Sequence, residues 1–163
     1  MDLGISGKTA LVSASSAGLG YASALALAEA GCKTVISGRN EERLMHAASK
    51  IPNSIPITAD VSTVKGSQTL VQDAKSQLGT NIDILITNAG GPPTGTFAST
   101  DVDQYLSAIE LNLMSVVAMC KETVPDMQEK KWGRILAITS ISVRQPIPNI
   151  MLSNTARAGV TGF

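Results

Sequence analysis

The sequence predicts an α/β fold, a doubly wound parallel sheet with helices on both faces. Three observations carry this. Apolar runs of strand length alternate with longer segments of helical period, β then α, five times along 163 residues. The strand runs are nearly solid aliphatic instead of alternating, the pattern of strands covered on both sides. A turn of small residues, Ser-Ala-Ser-Ser-Ala-Gly-Leu-Gly at 13–20, joins the first strand to the first helix.

KTALVSA (8–14) is the first strand. GLGYASALALAEAG (18–31) is rich in the best helix formers and closes at Gly31, a residue suited to a helix end. CKTVISG (32–38) is the second strand. Asn40 then caps a helix whose first turn carries Glu41 and Glu42, the sign its dipole favours. SIPITAD (54–60) is the third strand, and a polar helix runs from about Thr63 to Leu78. IDILIT (82–87) is the fourth strand, residues 101–129 form one long helix, and GRILAITS (133–140) is the fifth strand. The Gly/Pro-rich loop 90–100 lies past the carboxyl end of the fourth strand, where folds of this class bind ligands.

At 163 residues the chain makes one domain, 1–163, with no repeat or linker. It is 44% hydrophobic, 16% charged and formally neutral, which argues against nucleic acid or an anionic membrane as the main partner. The start lacks the features of a signal peptide, and no apolar run approaches the roughly 18 residues that span a bilayer. Cys32 and Cys120 stand apart without metal or CxxC spacing. His46, the only histidine, sits in a charged helical stretch, so no metal site is expected. A cytoplasmic, soluble protein is the expectation.

The small-residue turn carries the first chemical signal. Gly18 and Gly20 let the backbone approach a phosphate, and the helix start behind them offers N–H groups and a positive dipole. The GxGxxG spacing itself is absent, so tight packing is an alternative use of these residues. A second signal lies nineteen residues past Gly20. Where an NAD site would place an acid for the ribose hydroxyls, SGRN places Arg39, and no carboxylate stands between Glu29 and Glu41. A guanidinium suits a 2′-phosphate, so NADP(H) is expected over NAD(H).

With the SASSAGLG turn, ADV at 59–61, TNAG at 87–90, Asn112 in ELNLMS, and GRILAITS ending at Ser140, the chain resembles the short-chain dehydrogenase/reductase family. The nearest likeness is to its carrier-protein 3-oxoacyl reductase branch, in order from Gly7 to Phe163. The resemblance implies a Rossmann domain that moves hydride between NADP(H) and a carbonyl or secondary alcohol on a small molecule. It implies a cofactor site from Ser13, Ser15, Ser16, Gly18, Leu19 and Gly20, with Arg39, with Asp60 and Val61 at the adenine, and with Asn88, Ala89 and Gly90. Ser140 matches the serine that hydrogen-bonds the substrate oxygen, and Asn112 the asparagine that holds a relay water. A homo-oligomer is expected.

Two departures matter. The family's turn opens Thr-Gly, where this chain has Ser13-Ala14, adding a methyl where the backbone usually comes close. The family also places a tyrosine thirteen residues beyond the serine and a lysine four beyond that. Here those positions hold Ser153 and Arg157, still on one helical face at i, i+4. A phenol starts near a pKa of about 10 and a neighbouring ammonium lowers it. A serine hydroxyl is far weaker, and an arginine, with a pKa above about 12, does not readily exchange a proton. Arg157 can still hydrogen-bond a ribose or stabilise oxyanion charge. Three readings stay open: a reductase with a serine/arginine site, a nucleotide-binding relative without turnover, and an inert fragment.

The order 3-2-1-4-5 leaves the fifth strand at an apolar edge, and the family continues beyond the tyrosine/lysine helix. The expectation is a Rossmann-type sheet truncated after the fifth strand and the start of the next helix. Either the chain continues past Phe163 or a neighbour covers that edge. The substrate stays open among fatty-acyl thioesters, steroids, sugars and aromatic ketones.

Overall fold

One parallel sheet organises the chain, and the computed structural model describes residues 2–163. Its strands are β1 (Thr9–Val12), β2 (Lys33–Gly38), β3 (Ile55–Thr58), β4 (Ile84–Thr87) and β5 (Arg134–Ala137), in the order β3-β2-β1-β4-β5. That order is the one expected. Register is tight: Leu11 sits between Val35 on one side and Leu85 on the other.

Helices α1 (Gly18–Glu29), α2 (Glu41–Ala48), α3 (Val64–Leu78), α4 (Val102–Ile109), α5 (Ser115–Glu129) and α6 (Met151–Gly162) cover the two faces. Alternate residues of a strand point to opposite faces, and the two cores divide accordingly. Leu11, Val35 and Leu85 pack with Leu70 and Val71 of α3 and Met119 of α5. Ala10, Val12, Ile36 and Ile86 pack with Ala24 of α1 and Leu44 of α2. Each fully buried aliphatic side chain contributes about 1.5–3 kcal/mol, which makes these two layers the main stabilising element. The cysteines belong to them, and burial pushes the thiol pKa of Cys32 and of Cys120 up.

Local chemistry sets the helix ends. Gly31, at φ +88°, lies just past α1, where Cys32 N–H donates to Leu27 O and Gly31 N–H donates to Ala28 O, each at 3.0 Å. Asn40 Oδ1 accepts from Arg43 N–H at 2.8 Å, and Thr63 Oγ1 accepts from Gly66 N–H at 3.0 Å, capping α2 and α3.

The structure corrects two expectations. The span 101–129 is not one regular helix, because Glu110–Met114 forms a π turn between α4 and α5. Ser115 N–H there reaches Glu110 O, five residues back. Nor are all strands covered on both sides. β1 and β4 are fully buried, but at the edge Ile135 is 44% and Leu136 is 53% exposed in β5. An edge strand has one neighbour, and an aliphatic run alone does not distinguish edge from centre.

The amino ends of the strands are closed. Asp83 is buried, and its Oδ2 accepts from Thr9 N–H and Thr9 Oγ1, both at 3.1 Å. Its Oδ1 pairs with Lys130 Nζ at 3.1 Å. Burial acts to raise its pKa, but the hydrogen bonds from Thr9 and the charge of Lys130 outweigh that and hold it lowered. Beside it the ammonium of Lys8 and the guanidinium of Arg134 stack on Trp132, 4.2 and 4.9 Å from the ring centre.

Candidate functional site

At the carboxyl ends of the strands lies a cleft of about 680 Å³. It runs from the small-residue turn and the end of β2, past the loop after β4, to the end of β5 and α6.

The turn is built from backbone. Ser13 and Ser15 are fully buried and do not line the cleft. Ser13 Oγ donates to Asn88 O at 2.6 Å and accepts from Asn88 N–H at 2.8 Å. Ser15 Oγ donates to Val12 O at 2.7 Å and accepts from Ser37 N–H at 3.0 Å. Both therefore brace the turn against β4 and β2 instead of facing a ligand. Gly20 is buried and also works from behind. A Cβ there would stand 2.6 Å from Ala14 O and 2.8 Å from Asn88 Nδ2, so only glycine allows this approach of helix to turn. Ala14 adopts φ +46°, a left-handed conformation that strains a non-glycine residue.

Ser16, Gly18 and Leu19 do line the cleft. Ala17 precedes α1 with no side-chain cap, and the helix's first turn holds no acid. Its leading N–H groups thus face the cleft end without an intrahelical acceptor, the arrangement that receives an anion.

Arg39, Asp60, Val61, Asn88, Ala89 and Gly90 also line it. Arg39 is exposed at the end of β2. Asp60 accepts from Ser62 N–H at 2.9 Å. That bond is the main cause of its lowered pKa, opposed by burial and assisted by the Ser62 hydroxyl and Arg39. Sequence reasoning missed Arg43, a second cation on the cleft wall. A detectable signal existed, since Arg43 stands four residues past Arg39 across a capped helix start.

At the other end, Arg157 is 9% exposed yet lines the cleft beside Thr139 and Ile138. Its Nη1 donates to Ile138 O at 2.8 Å and to Thr139 O at 3.3 Å. Burial lowers its pKa from the ordinary arginine value. Asn112 is buried in the π turn and donates from Nδ2 to Gly90 O at 2.9 Å, while its Oδ1 has no partner. Ser140 is half-buried and accepts from Ser142 N–H at 3.1 Å. Ser153 is half-buried in the first turn of α6. Asn112, Ser140 and Ser153 are not among the residues lining the cleft, so of the four expected to do chemistry only Arg157 forms its wall. Neither tyrosine does. Tyr21 packs on the α1 side of the sheet, and Tyr105 packs with Ala108 against Leu152 and Ala156 of α6.

Loop 90–100 contributes Gly90 and Gly91 to the wall. Farther on it is held to the segment before α6, with Gly95 N–H donating to Asn149 O at 2.8 Å. Among the described residues no group of three or more His, Cys, Asp or Glu side chains is placed to hold a metal. Among them, too, no helix is long and apolar enough to cross a membrane.

A parallel 3-2-1-4-5 sheet with an uncapped glycine-rich helix start opening on its carboxyl-end cleft defines a Rossmann-like nucleotide-binding class. The short chain dehydrogenase family matches residues 8–163, and the chain belongs to that family of oxidoreductases. An oxidoreductase of Schizosaccharomyces pombe, C162.03, is 32% identical over 156 residues, covering 95% of this chain and 52% of that relative. The ketoacyl reductase HetN of Nostoc is 30% identical over 160 residues, covering 96% of this chain and 55% of that one. The chain thus spans about half the length of these curated relatives. Among solved structures, L-sorbose reductase from Gluconobacter frateurii, complexed with NADPH and L-sorbose, superimposes with a TM-score of 0.93 at 31% identity. That match covers all of this chain and 64% of the reductase.

Proposed function

We propose that this protein is an NADP(H)-dependent oxidoreductase that transfers hydride between the nicotinamide and a carbonyl or secondary alcohol through a serine/arginine site. One observation carries the reading. A single cleft joins the unsatisfied start of α1, the guanidinium of Arg39 and the buried cation of Arg157. A known reductase with NADPH in its complex shares the fold along the whole chain.

The residues fit the cofactor in this reading. Gly18, Leu19 and Ser16 receive the diphosphate at the start of α1, with Ser13, Ser15 and Gly20 holding the turn in shape. Arg39 receives the 2′-phosphate and Asp60 and Val61 the adenine, while Asn88, Ala89 and Gly90 form the floor. The bound nicotinamide supplies or accepts the hydride. Ser140 donates to the substrate oxygen, and Arg157 stabilises negative charge developing there. No tyrosine is in place to give the proton, so a water held by Ser140, Ser153 and the unpartnered Oδ1 of Asn112 delivers it.

The test is a titration with NADPH against NADH, and then a carbonyl panel. NADPH is expected to bind more tightly, and Ser140→Ala to lower carbonyl reduction by about 10²-fold or more. Undiminished reduction by that variant would sink the catalytic reading. A second reading, an NADP(H) binder without turnover, is favoured by the absence of Ser140 and Ser153 from the cleft wall. It predicts NADPH binding with no reduction of any carbonyl.

A further inference from the structure

The outer end of the cleft carries two guanidiniums, not one. Arg39, past the end of β2, and Arg43, in the first turn of α2, both line it, with Asn40 between them. Local chemistry fixes the second cation. Asn40 Oδ1 holds Arg43 N–H at 2.8 Å, and the next residue, Leu44, is buried against the sheet beside Ala47. Arg43 thus starts from an anchored backbone, and its exposed side chain lies on the same wall as Arg39. The end of β2 also lies close against the small-residue turn, since a Cβ on Gly38 would stand 3.1 Å from Ser16 Oγ. Both arginines therefore follow directly on a strand end that touches the turn assigned to the diphosphate.

Charge decides what the pair can hold. The ion pairs among the described residues are Lys75–Asp126 and Lys130–Asp83, so neither guanidinium is committed to a carboxylate. Glu41 and Glu42, in the same helical turn as Arg43, are not on the cleft wall. The one acid among the described lining residues is Asp60, whose carboxyl is held low first by Ser62 N–H and also by the charge of Arg39. Arg39 and Asp60 alone would leave this end of the cleft neutral. A phosphate monoester carries about −1.5 to −2 charges near neutrality and three acceptor oxygens. One planar fork engages two of those oxygens, and the Asp60 carboxylate repels the group. Arg43 brings the positive charge that the first pair lacks, together with donors for the remaining oxygen.

We propose that Arg43 is a second ligand of the 2′-phosphate, closing a two-arginine clamp with Arg39, and that the two jointly set the preference for NADP(H). The inference rests on the reading of the cleft as an NADP(H) site and adds a specificity-determining residue to it. The backbone of Arg43, not its side chain, closes the cap with Asn40, so truncating the side chain removes the donors and leaves the helix start intact. Both cations are exposed, so each contributes less than a buried charge would, and salt screens them.

The test is calorimetric titration with adenosine 2′,5′-bisphosphate and adenosine 5′-monophosphate, which differ only in the 2′-phosphate. The unaltered protein should favour the bisphosphate, and Arg43→Ala should shrink that ratio of affinities about 5–20-fold. Arg43→Lys, which keeps the charge but loses the fork, should lie between. Arg39→Ala combined with Arg43→Ala should bring the ratio close to one. Lys121→Ala removes an exposed cation of α5 outside the cleft and controls for net charge, so its ratio should match that of the unaltered protein. Circular dichroism of each variant checks that the chain still folds. A ratio that survives Arg43→Ala, whether or not both ligands weaken together, would overturn the proposal and leave Arg39 its role. An unaltered protein without preference for the bisphosphate would instead overturn the NADP(H) reading itself, a failure visible before any substitution is made.

Discussion

The two ends of the sheet treat polar groups in opposite ways. At the amino ends, strong groups have partners. Asp83 is held by Thr9 and Lys130, Lys8 and Arg134 both stack on Trp132, and the end of α1 is closed by Gly31. At the carboxyl ends, α1 begins without a cap, Arg157 is buried without an acid, and Asn112 Oδ1 faces no donor. Asn112 Oδ1, buried without a donor, costs stability, whereas the start of α1 is open to solvent. Polar groups left open at one end of a well-packed sheet mark where a ligand is expected, while the closed end contributes stability.

That contrast can be broken by exchanging effects between the ends. Asp83→Ala should produce the largest loss of stability. It leaves Thr9 N–H and Lys130 unpaired and should cost about 2–3 kcal/mol, read as a lower midpoint in urea, with NADPH affinity per folded molecule unchanged. Equal damage to nucleotide binding would show that the two ends are not separable. Arg39→Ala is the reciprocal change. NADPH binding should weaken about 10–100-fold, the worth of hydrogen bonds to a charged group, while NADH affinity and thermal stability stay put. Parallel loss of NADH would show that Arg39 shapes the site instead of reading the phosphate.

A pH series sharpens the same comparison. Because the folded pKa of Asp83 lies below its unfolded value, its contribution is fully present above the ordinary carboxylate pKa and is lost as pH falls through the folded one. The stability gap between the protein and Asp83→Asn should therefore be widest near neutrality and shrink below a pH of about 4. A gap independent of pH would mean the carboxylate is not the group at work. The smallest effect is expected from Ala14→Gly, which relieves a left-handed alanine. Allowing for the extra freedom of the unfolded glycine, a gain of less than about 1 kcal/mol should emerge as a small rise in melting temperature. A loss would show that the methyl is packed to advantage.

Much of the fold was legible in the sequence. Solid aliphatic runs located all five strands, and Asn40 caps α2 as its sequence position predicts, whereas the capping role of Thr63 emerges only in the structure. The glycine turn and Arg39 could be placed because they sit at fixed distances from strand ends. What stayed hidden depends on tertiary context. Ser13 and Ser15 read as ligand contacts but turn inward, because β2 and β4 offer backbone partners that only the assembled sheet brings near. The exposure of Ile135 and Leu136 reflects the edge position of β5 in the sheet, not a residue pattern. The partnering of Arg157 with carbonyls of Ile138 and Thr139 joins segments nearly twenty positions apart.

The π turn at Glu110–Met114 acts as a phase shifter. Such a turn holds one residue more than an α turn, so it rotates the side chains of α5 by about 100° relative to those of α4. α4 can therefore aim Tyr105 and Ala108 at α6 while α5 aims Val116 and Met119 at α3, though the two are nearly continuous. Deleting one residue within 110–114 would straighten the rod and force a choice between those two neighbours. Asn112 sits at the pivot, so the same deletion would carry its amide away from Gly90.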